Sequence, residues 1–588
     1  MSAMYFKSKA LWLSFLLPWI PLVIWGCAGS DDSSEDQARA MAAASTRPIQ
    51  PVDLNAIARI RDEGLNHSQV METASYLTDV IGPRLTGSPN LKRANEWTRD
   101  KLTSWGLQNA HLEAWGPFGR GWSMKRFSAE VIEPQSIPLI AAPSAWSPGF
   151  DQPLEAEVVM LDPRTPSDLD AYAGKLAGKI VLVGGERPVK AHFSADGTRY
   201  TDDELTQLAA RGARGPATSL AELLQNAGRR GAPAARGPAS NPAVAANIVN
   251  QIFNFAAREN AALICSPSTI GDGGTIFVQS ARSIGTGAAR GPTSVWSVDP
   301  NQIPPQITVS VEQFNRMARM IKAGEKLKMA VNLKVETHND DPMAYNTIAE
   351  IPGTDLKEQV VMLGGHMDSW HTGTGATDNG IGVSVAMEAV RIIKSLNLKP
   401  RRTIRIALWT GEEEGLFGSA AYMKQHFGQA IGGRGAGGGD RGTRRPRGGA
   451  TSAPAGPRVD KQPEYDSLSA YFNLDNGTGK IRGIYCQGNV AVAPIFKQWL
   501  KSFSDLGANT ITLSNTSGTD HLSFDAIGLP GFQFIQDPIE YSTRTHHSNQ
   551  DVFDRIQADD MKQASTIMAA FVYNAAMMDQ RIPRKPGY

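Results

Sequence analysis

Residues 359–415 read QVVMLGGHMDSWHTGTGATDNGIGVSVAMEAVRIIKSLNLKPRRTIRIALWTGEEEG. The stretch opens on a short apolar run, 359–364, and passes through a polar, glycine-rich loop. It continues at 381–396 with helical periodicity, which Pro400 ends. Residues 403–409 then alternate Ile404, Ile406 and Leu408, the pattern of a strand. Strands separated by a helix of this length predict an α/β sheet.

Working outward, the pattern resumes at 467–474 and the last helix falls at about 557–577. Between them, residues 428–459 hold eleven glycines and six arginines, predicting a disordered surface insertion. A nucleic-acid-binding Arg/Gly tract is the sharper alternative, but the segment has no aromatic ring to stack on bases. On the N-terminal side, 51–130 reads as mostly helical at first, with Val70, Ala74, Leu77 and Ile81 in helical spacing. Gly82-Pro83 and Gly87-Ser88-Pro89 mark breaks. From about 130 to 335 short β runs predominate, at 155–161, 179–183, 261–264, 275–279 and 306–311, closed by a helical run at 311–321. An Arg/Gly/Ala/Pro-rich stretch, 211–240, lies within this block.

Composition removes several classes of function. The 588 residues carry 59 basic and 58 acidic groups, a formal net charge of +1, so there is no overall basic field for nucleic acid. At roughly 100–200 residues per domain the chain has room for two to four domains. Three cysteines cannot build a disulfide framework or a cysteine-rich zinc module, so metal chemistry must rely on His, Asp and Glu. Cys265 and Cys486 are expected as small buried residues.

The N-terminus reads as an address. Lys7 and Lys9 precede a sixteen-residue apolar run from Ala10 to Trp25, interrupted by Pro18 and Pro21 and ending at Gly26-Cys27-Ala28. That describes an export signal, residues 1–27, rather than a membrane span. Ile24-Trp25-Gly26-Cys27 resembles the lipobox of bacterial lipoproteins, which implies a lipid anchor through Cys27 in the cell envelope; simple secretion is the alternative. Residues 28–50 read as a flexible tether.

Six of the ten histidines lie between 366 and 547, in the α/β half. Five loops there carry candidate ligands: Gly365-His366-Met367-Asp368-Ser369-Trp370, Ala376-Thr377-Asp378-Asn379-Gly380, Thr410-Gly411-Glu412-Glu413-Glu414, Asn473-Leu474-Asp475-Asn476-Gly477 and Thr545-His546-His547-Ser548 through Asp551. Each alone has a plain reading, such as a turn or a helix start. Together, most of them just after a strand, they would converge beyond the carboxyl ends of an open α/β sheet.

These motifs resemble, in order and spacing, those of the co-catalytic dizinc exopeptidases, which include bacterial aminopeptidases and glutamate carboxypeptidases; the plasma glutamate carboxypeptidase branch is nearest. The resemblance also takes in Gly82-Pro83-Arg84-Leu85-x-Gly87-Ser88 and extends over most of 60–580. It implies a mixed β-sheet flanked by helices, the zinc exopeptidase fold, formed by residues 51–130 and 336–588. It implies as well a β-rich protease-associated domain inserted at 131–335. It implies two Zn²⁺ held by His366, Asp378, Glu413, Asp475 and His547, with Asp378 bridging and a cis bond at Asp378–Asn379. Two Zn²⁺ against three carboxylates leave one positive charge, which favours ionising bound water near neutrality. Glu412 is then the general base for a metal-bridged hydroxide, and Asp368 the acceptor that fixes the His366 tautomer. His371, Glu414 and His546 are neighbours rather than ligands. Tyr541, Arg544 and His521 are the candidates on the substrate side.

The function implied is an exported exopeptidase acting on small peptides, as an aminopeptidase or as a dipeptidase or carboxypeptidase, with a homodimer suggested by the nearest relatives. A non-catalytic receptor on the same fold is the alternative, and retention of every ligand and of the base argues against it. A zinc acyltransferase that cyclises N-terminal glutamine fits less well, since such enzymes resemble single-zinc sites and lack the inserted domain.

Overall fold

The computed structural model describes residues 49–212, 242–285, 294–431 and 458–585. The export segment 1–27 with Cys27, nearly all of the tether, and most of the stretches 211–240 and 428–459 lie outside the described residues. No helix among the described residues is long and apolar enough to cross a membrane.

Helix α1 (Leu54–Asn66) starts at Asp53, whose carboxylate accepts from the Asn55 and Ala56 N–H groups. Helix α2 (Val70–Ser75) runs on through a π-turn, Tyr76–Ile81, and stops at Gly82 (φ +84°). Helix α3 (Pro89–Ser104) has Ser88 as its cap and proline at its first position. Strands β1 (Gln108–Trp115) and β2 (Gly121–Glu133) follow, so the helical reading of 51–130 ends at Gln108. The alternation of β1 is weak because it is an edge strand, largely half-buried.

The chain next builds a second sheet from β3 (Ile137–Pro138), β4 (Ala141–Pro143), β5 (Leu154–Leu161), β6 (Ile180–Val183), β7 (Leu263–Pro267), β8 (Gln306–Val309) and β9 (Leu327–His338), in the order β3-β2-β9-β5-β6-β7-β8-β4. Helices α4 (Asp202–Ala209), α5 (Pro242–Arg258) and α6 (Val311–Lys322) belong to the same stretch of chain. Two sequence expectations change here. The second sheet starts at Gly121, not 131, because β2 pairs with β9 from Gly121↔His338 to Glu133↔Lys328. The run 275–279 forms no strand: Phe277 makes an isolated bridge to Ser548, and Ser280 one to Ala145. Its β-like composition serves contacts to two loops rather than to a sheet.

The chain returns through β10 (Ala344–Ile351), β11 (Leu356–His366), α7 (Ile381–Ser395), β12 (Arg402–Trp409) and α8 (Phe417–Tyr422). The ends of the Gly/Arg-rich insertion are a two-stranded stem, β13 (Gly428–Ile431) with β14 (Arg458–Lys461), which corrects the reading of disorder over the whole of 428–459. Then come β15 (Leu468–Asn473), β16 (Ile481–Tyr485), α9 (Ala493–Leu500), β17 (Thr510–Thr512), α10 (His521–Asp525), β18 (Gly531–Gln536) and α11 (Ala558–Met577). These strands and β1 form a mixed sheet, β1-β10-β12-β11-β15-β18-β16-β17, in which β12, β11, β15 and β18 are parallel neighbours.

Helix α7 explains why this sheet needs an apolar sequence around it. Ile381 through Ile393 are all buried, and its polar members are matched. Ser384 donates to the Gly380 carbonyl at 2.8 Å, while Glu388 pairs with Arg391 at 2.7 Å, which also reaches Glu63 at 2.7 Å. Close packing also fixes two glycines: a Cβ on Gly364 would sit 1.9 Å from the Ala407 carbonyl oxygen, and one on Gly382 2.3 Å from that of Leu474. Cys265 and Cys486 are buried and free.

Candidate active site and metal centre

Four parallel strands end at one place. His366 closes β11 beside Trp409 of β12, and Gly364 aligns with Asn473 of β15, which aligns with Gln533 of β18. The loops leaving these strands carry His366, Glu412–Glu413, Asp475 and His547 respectively, and the turn into α7 carries Asp378. This is the carboxyl edge at which open α/β sheets bind ligands.

His366 Nε2 lies 3.3 Å from Asp378 Oδ1, 3.4 Å from Asp475 Oδ1 and 3.8 Å from Glu412 Oε2. His547 Nε2 lies 3.1 Å from Asp378 Oδ2 and 2.9 Å from Glu413 Oε2. Asp378 therefore turns one oxygen to each histidine. The cluster is buried, yet His366 Nε2, Asp378 Oδ2, Glu413 Oε1 and Asp475 Oδ1 have no hydrogen-bond partner. Converging, buried, unsatisfied carboxylates and imidazoles are costly unless a cation satisfies them. Nitrogen and carboxylate oxygen donors without cysteine suit zinc. The residues present fit the metal that the motifs imply. Ligand atoms of His366, Asp378 and Asp475 lie within 4.8 Å of one another, as do those of Asp378, His546 and His547. The second trio brings in His546, which sequence spacing excludes; its side chain is 40% exposed and its Nε2 is 3.6 Å from Asp378.

Titration follows the same geometry. Burial pushes Glu413 up to about 7, with Asp378 adding to the shift and His547 opposing it. Burial also raises Glu412 well above the usual carboxylate range, against the pull of His366. Burial would lower His366 and His547, but neighbouring carboxylates win: Asp475 and Glu412 hold His366 well above its ordinary value, and Glu413 and Asp378 hold His547 at about 10.

The supporting contacts come from parts of the sequence that look like ordinary turns. The Asp551 carboxylate accepts from the Thr377 N–H at 2.5 Å and the Asp378 N–H at 3.2 Å, fixing the loop that presents Asp378. The Asp378–Asn379 bond is cis, as the motif implies. Asn379 reaches the Leu474 carbonyl at 2.9 Å and accepts from Gly382 N–H, joining the Asp378 and Asp475 loops. Thr410 is held by the Trp115 indole N–H at 2.9 Å and by Asn346, which anchors the start of the Glu412 loop. Arg84, fully buried, donates to the carbonyls of Met367, Leu77, Gly82, Thr374 and Gly375. This is the physical content of the Gly82-Pro83-Arg84 motif.

Asp368 differs in detail from its expected part. The acceptor nearest His366 Nδ1 is the Asp368 main-chain carbonyl at 3.0 Å; the carboxylate is at 3.6 Å. The carboxylate instead accepts from the Glu413 N–H at 3.1 Å and the Thr86 hydroxyl at 3.3 Å, tying two ligand loops together. On the substrate side, Tyr541 stands beside the cluster, its ring 4.7 Å from His546. Arg544 is engaged elsewhere, 2.7 Å from Asp196 and 3.4 Å from Glu540. His521 is buried with Nε2 3.4 Å from the Thr516 carbonyl and is held at about 3 by that burial. Its neighbour Asp520 has both oxygens buried and unpartnered, and its charge adds to the upward shift of Glu412 that burial begins. His371 packs away from the cluster, its Nε2 2.7 Å from the Pro143 carbonyl, and Glu414 is half-buried with both carboxylate oxygens buried and unpartnered.

The chain is similar to known proteins over most of its length. Residues 346–572 match the family description "Peptidase family M28". Carboxypeptidase Q of Mus musculus is 25% identical over 534 residues, 90% of each chain, and that of Homo sapiens is 25% identical over 531 residues, again 90% of each. The solved peptidase M28 precursor from Shewanella amazonensis shares the fold, with a TM-score of 0.58 at 22% identity over 94% of this chain and 99% of its own. The resemblance drawn from the motifs, to co-catalytic zinc exopeptidases near carboxypeptidase Q, holds, and so does the mixed α/β fold.

Proposed function

We propose that this chain, whose residues 346–572 match the family M28 peptidase description and which is similar to carboxypeptidase Q over 90% of its length, is an exported dizinc exopeptidase cleaving small peptides. One observation carries this reading. His366, Asp378, Asp475, Glu413 and His547 converge with unsatisfied buried ligand atoms, and Glu412 stands among them at 3.8 Å from His366. His366, Asp475 and Asp378 would hold one ion; His547, Glu413 and Asp378 would hold the other. Bound zinc supplies Lewis acidity for the scissile carbonyl and acidifies water.

The chain's own residues do the rest. Glu412, which burial keeps avid for a proton, takes one from the attacking water and delivers it to the leaving amine nitrogen. Asp368 holds the His366 ring through its carbonyl and the Glu413 loop through its carboxylate. The second sheet, residues 121–338, is assigned to the protease-associated insertion, and 1–27 to export, with a lipid anchor at Cys27 and a homodimer as further parts of the proposal.

Recognition of a peptide's amino terminus is favoured over its carboxylate. The two cations flanking the ligand loops are already committed, Arg84 to five carbonyls and Arg544 to Asp196. The test is zinc content measured together with hydrolysis of an aminoacyl-anilide, a free dipeptide and an N-blocked dipeptide. About two zincs per chain and chelator-sensitive cleavage of the anilide are expected. Cleavage of the free dipeptide alone would make it a dipeptidase, and no zinc with no cleavage would make it a receptor-like protein.

A further inference from the structure

We propose that Gln279, a residue of the segment between the strands of the second sheet, is a positioning residue for His547 and thereby for one metal of the centre. The proposal rests on the reading of His547 as a ligand.

His547 directs Nε2 at Asp378 and Glu413, which leaves Nδ1 facing outward. A neutral imidazole that ligates through Nε2 carries its proton on Nδ1 and needs an acceptor there to fix the ring. The Gln279 side-chain amide lies 2.9 Å from Nδ1, with its nitrogen placed toward the ring. A half-turn of that amide presents its oxygen, so Gln279 can accept the proton that a metal-bound His547 must show. His366 finds its acceptor in its own loop, at the Asp368 carbonyl. His547 takes its own from a segment 268 residues away in sequence.

The backbone around Gln279 is built to hold that contact. His547 has φ +64°, a conformation unfavourable for a residue with a Cβ, and the Val278 N–H donates to its carbonyl at 3.1 Å. Asn549 and Ile276 exchange two bonds: Asn549 N–H to the Ile276 carbonyl at 3.1 Å, and Ile276 N–H to Asn549 Oδ1 at 2.9 Å. Phe277 bridges to Ser548 between them. Residues 276–279 thus grip 547–549 in a fixed register, and that register places the Gln279 amide on the ring. The insertion between β2 and β9 thereby supplies a contact that orients a ligand of the peptidase sheet.

The experiment uses the full zinc-loaded chain and follows zinc release to a chelating dye, in parallel with the melting of the metal-free protein. Gln279 is exposed, so its replacement leaves the fold intact. Gln279→Leu keeps the bulk and removes the acceptor; one zinc should leave about tenfold faster, in line with the effect of losing an outer hydrogen bond to a ligand histidine. Gln279→Glu keeps an acceptor and should release zinc no faster than the parent. The metal-free proteins should melt alike. Release from Gln279→Leu at the parental rate overturns the proposal, and so does equally fast release from Gln279→Glu. His547→Ala should lose the same single zinc. If it retains both, the ligand assignment fails together with this inference, and a parent without zinc overturns both.

Discussion

The Trp370 indole N–H donates to Glu413 Oε2 at 2.8 Å. Trp370 follows the His366-x-Asp368 motif and closes against Trp146 and the His547 ring, so it fixes the rotamer of a carboxylate on the neighbouring strand's loop. Trp370→Phe keeps the ring packing and removes the donor. Zinc affinity in a chelator titration is expected to fall by about tenfold with little change in the melting of the metal-free protein. Unchanged affinity would mean that packing alone holds Glu413.

On the proposed reading, Glu412→Gln removes the proton acceptor and keeps the shape. Turnover should drop by about 10²–10⁴-fold while both zincs stay bound. Zinc analysis beside the rate assay separates the outcomes: a variant that loses metal identifies Glu412 as a ligand instead.

Arg84→Met should destabilise the zinc-free protein strongly, because it removes the shared donor of five carbonyls, leaving those of Met367, Gly82 and Thr374 without it, and takes a positive charge from beside Asp551, Asp368 and Asp378. Removing one partner of such a buried charged network costs about 3–5 kcal/mol, readable in denaturant unfolding. Arg84→Lys should recover little, since one ammonium cannot serve acceptors spread around a planar guanidinium. A full rescue by lysine would show that charge rather than the fork of donors is what counts.

His426, on the turn before the β13–β14 stem, lies 2.9 Å from Glu113 and 3.0 Å from Glu464. Partial burial opposes its protonation, but these two carboxylates prevail and lift it to about 9. A folded value above the unfolded one of about 6.5 means that the contribution is complete below pH 6.5 and is lost as pH rises through 9. The melting temperature should therefore fall between pH 7 and 9, and His426→Gln should flatten that fall. Parallel profiles for the two proteins would remove His426 from the pH response.

Much of the peptidase sheet is legible in sequence because buried parallel strands and a helix buried on all sides must be apolar. The runs at 359–364 and 403–409 and the helix at 381–396 fall within or close to β11, β12 and α7. The ligand loops are legible because glycine and polar residues stand out against those apolar runs. The reading weakens where an element is satisfied by something distant. The largely half-buried edge strand β1 shows little alternation, and 275–279 has strand composition but pairs with loops. Arg544 looks like a free cation until Asp196 appears beside it.

What the sequence determined by itself is the chemistry on offer: which loops carry histidine and carboxylate, in what order along a strand–helix–strand repeat, and that cysteine takes no part. Tertiary structure alone decided which groups meet. Asp520 and His521 are both buried, Arg84 draws five carbonyls together, and Gln279 reaches His547 from the far side of an insertion. The reason is physical. Local backbone preference and apolar periodicity act over a few residues, whereas burial forces every polar group to find a partner wherever the packed chain supplies one.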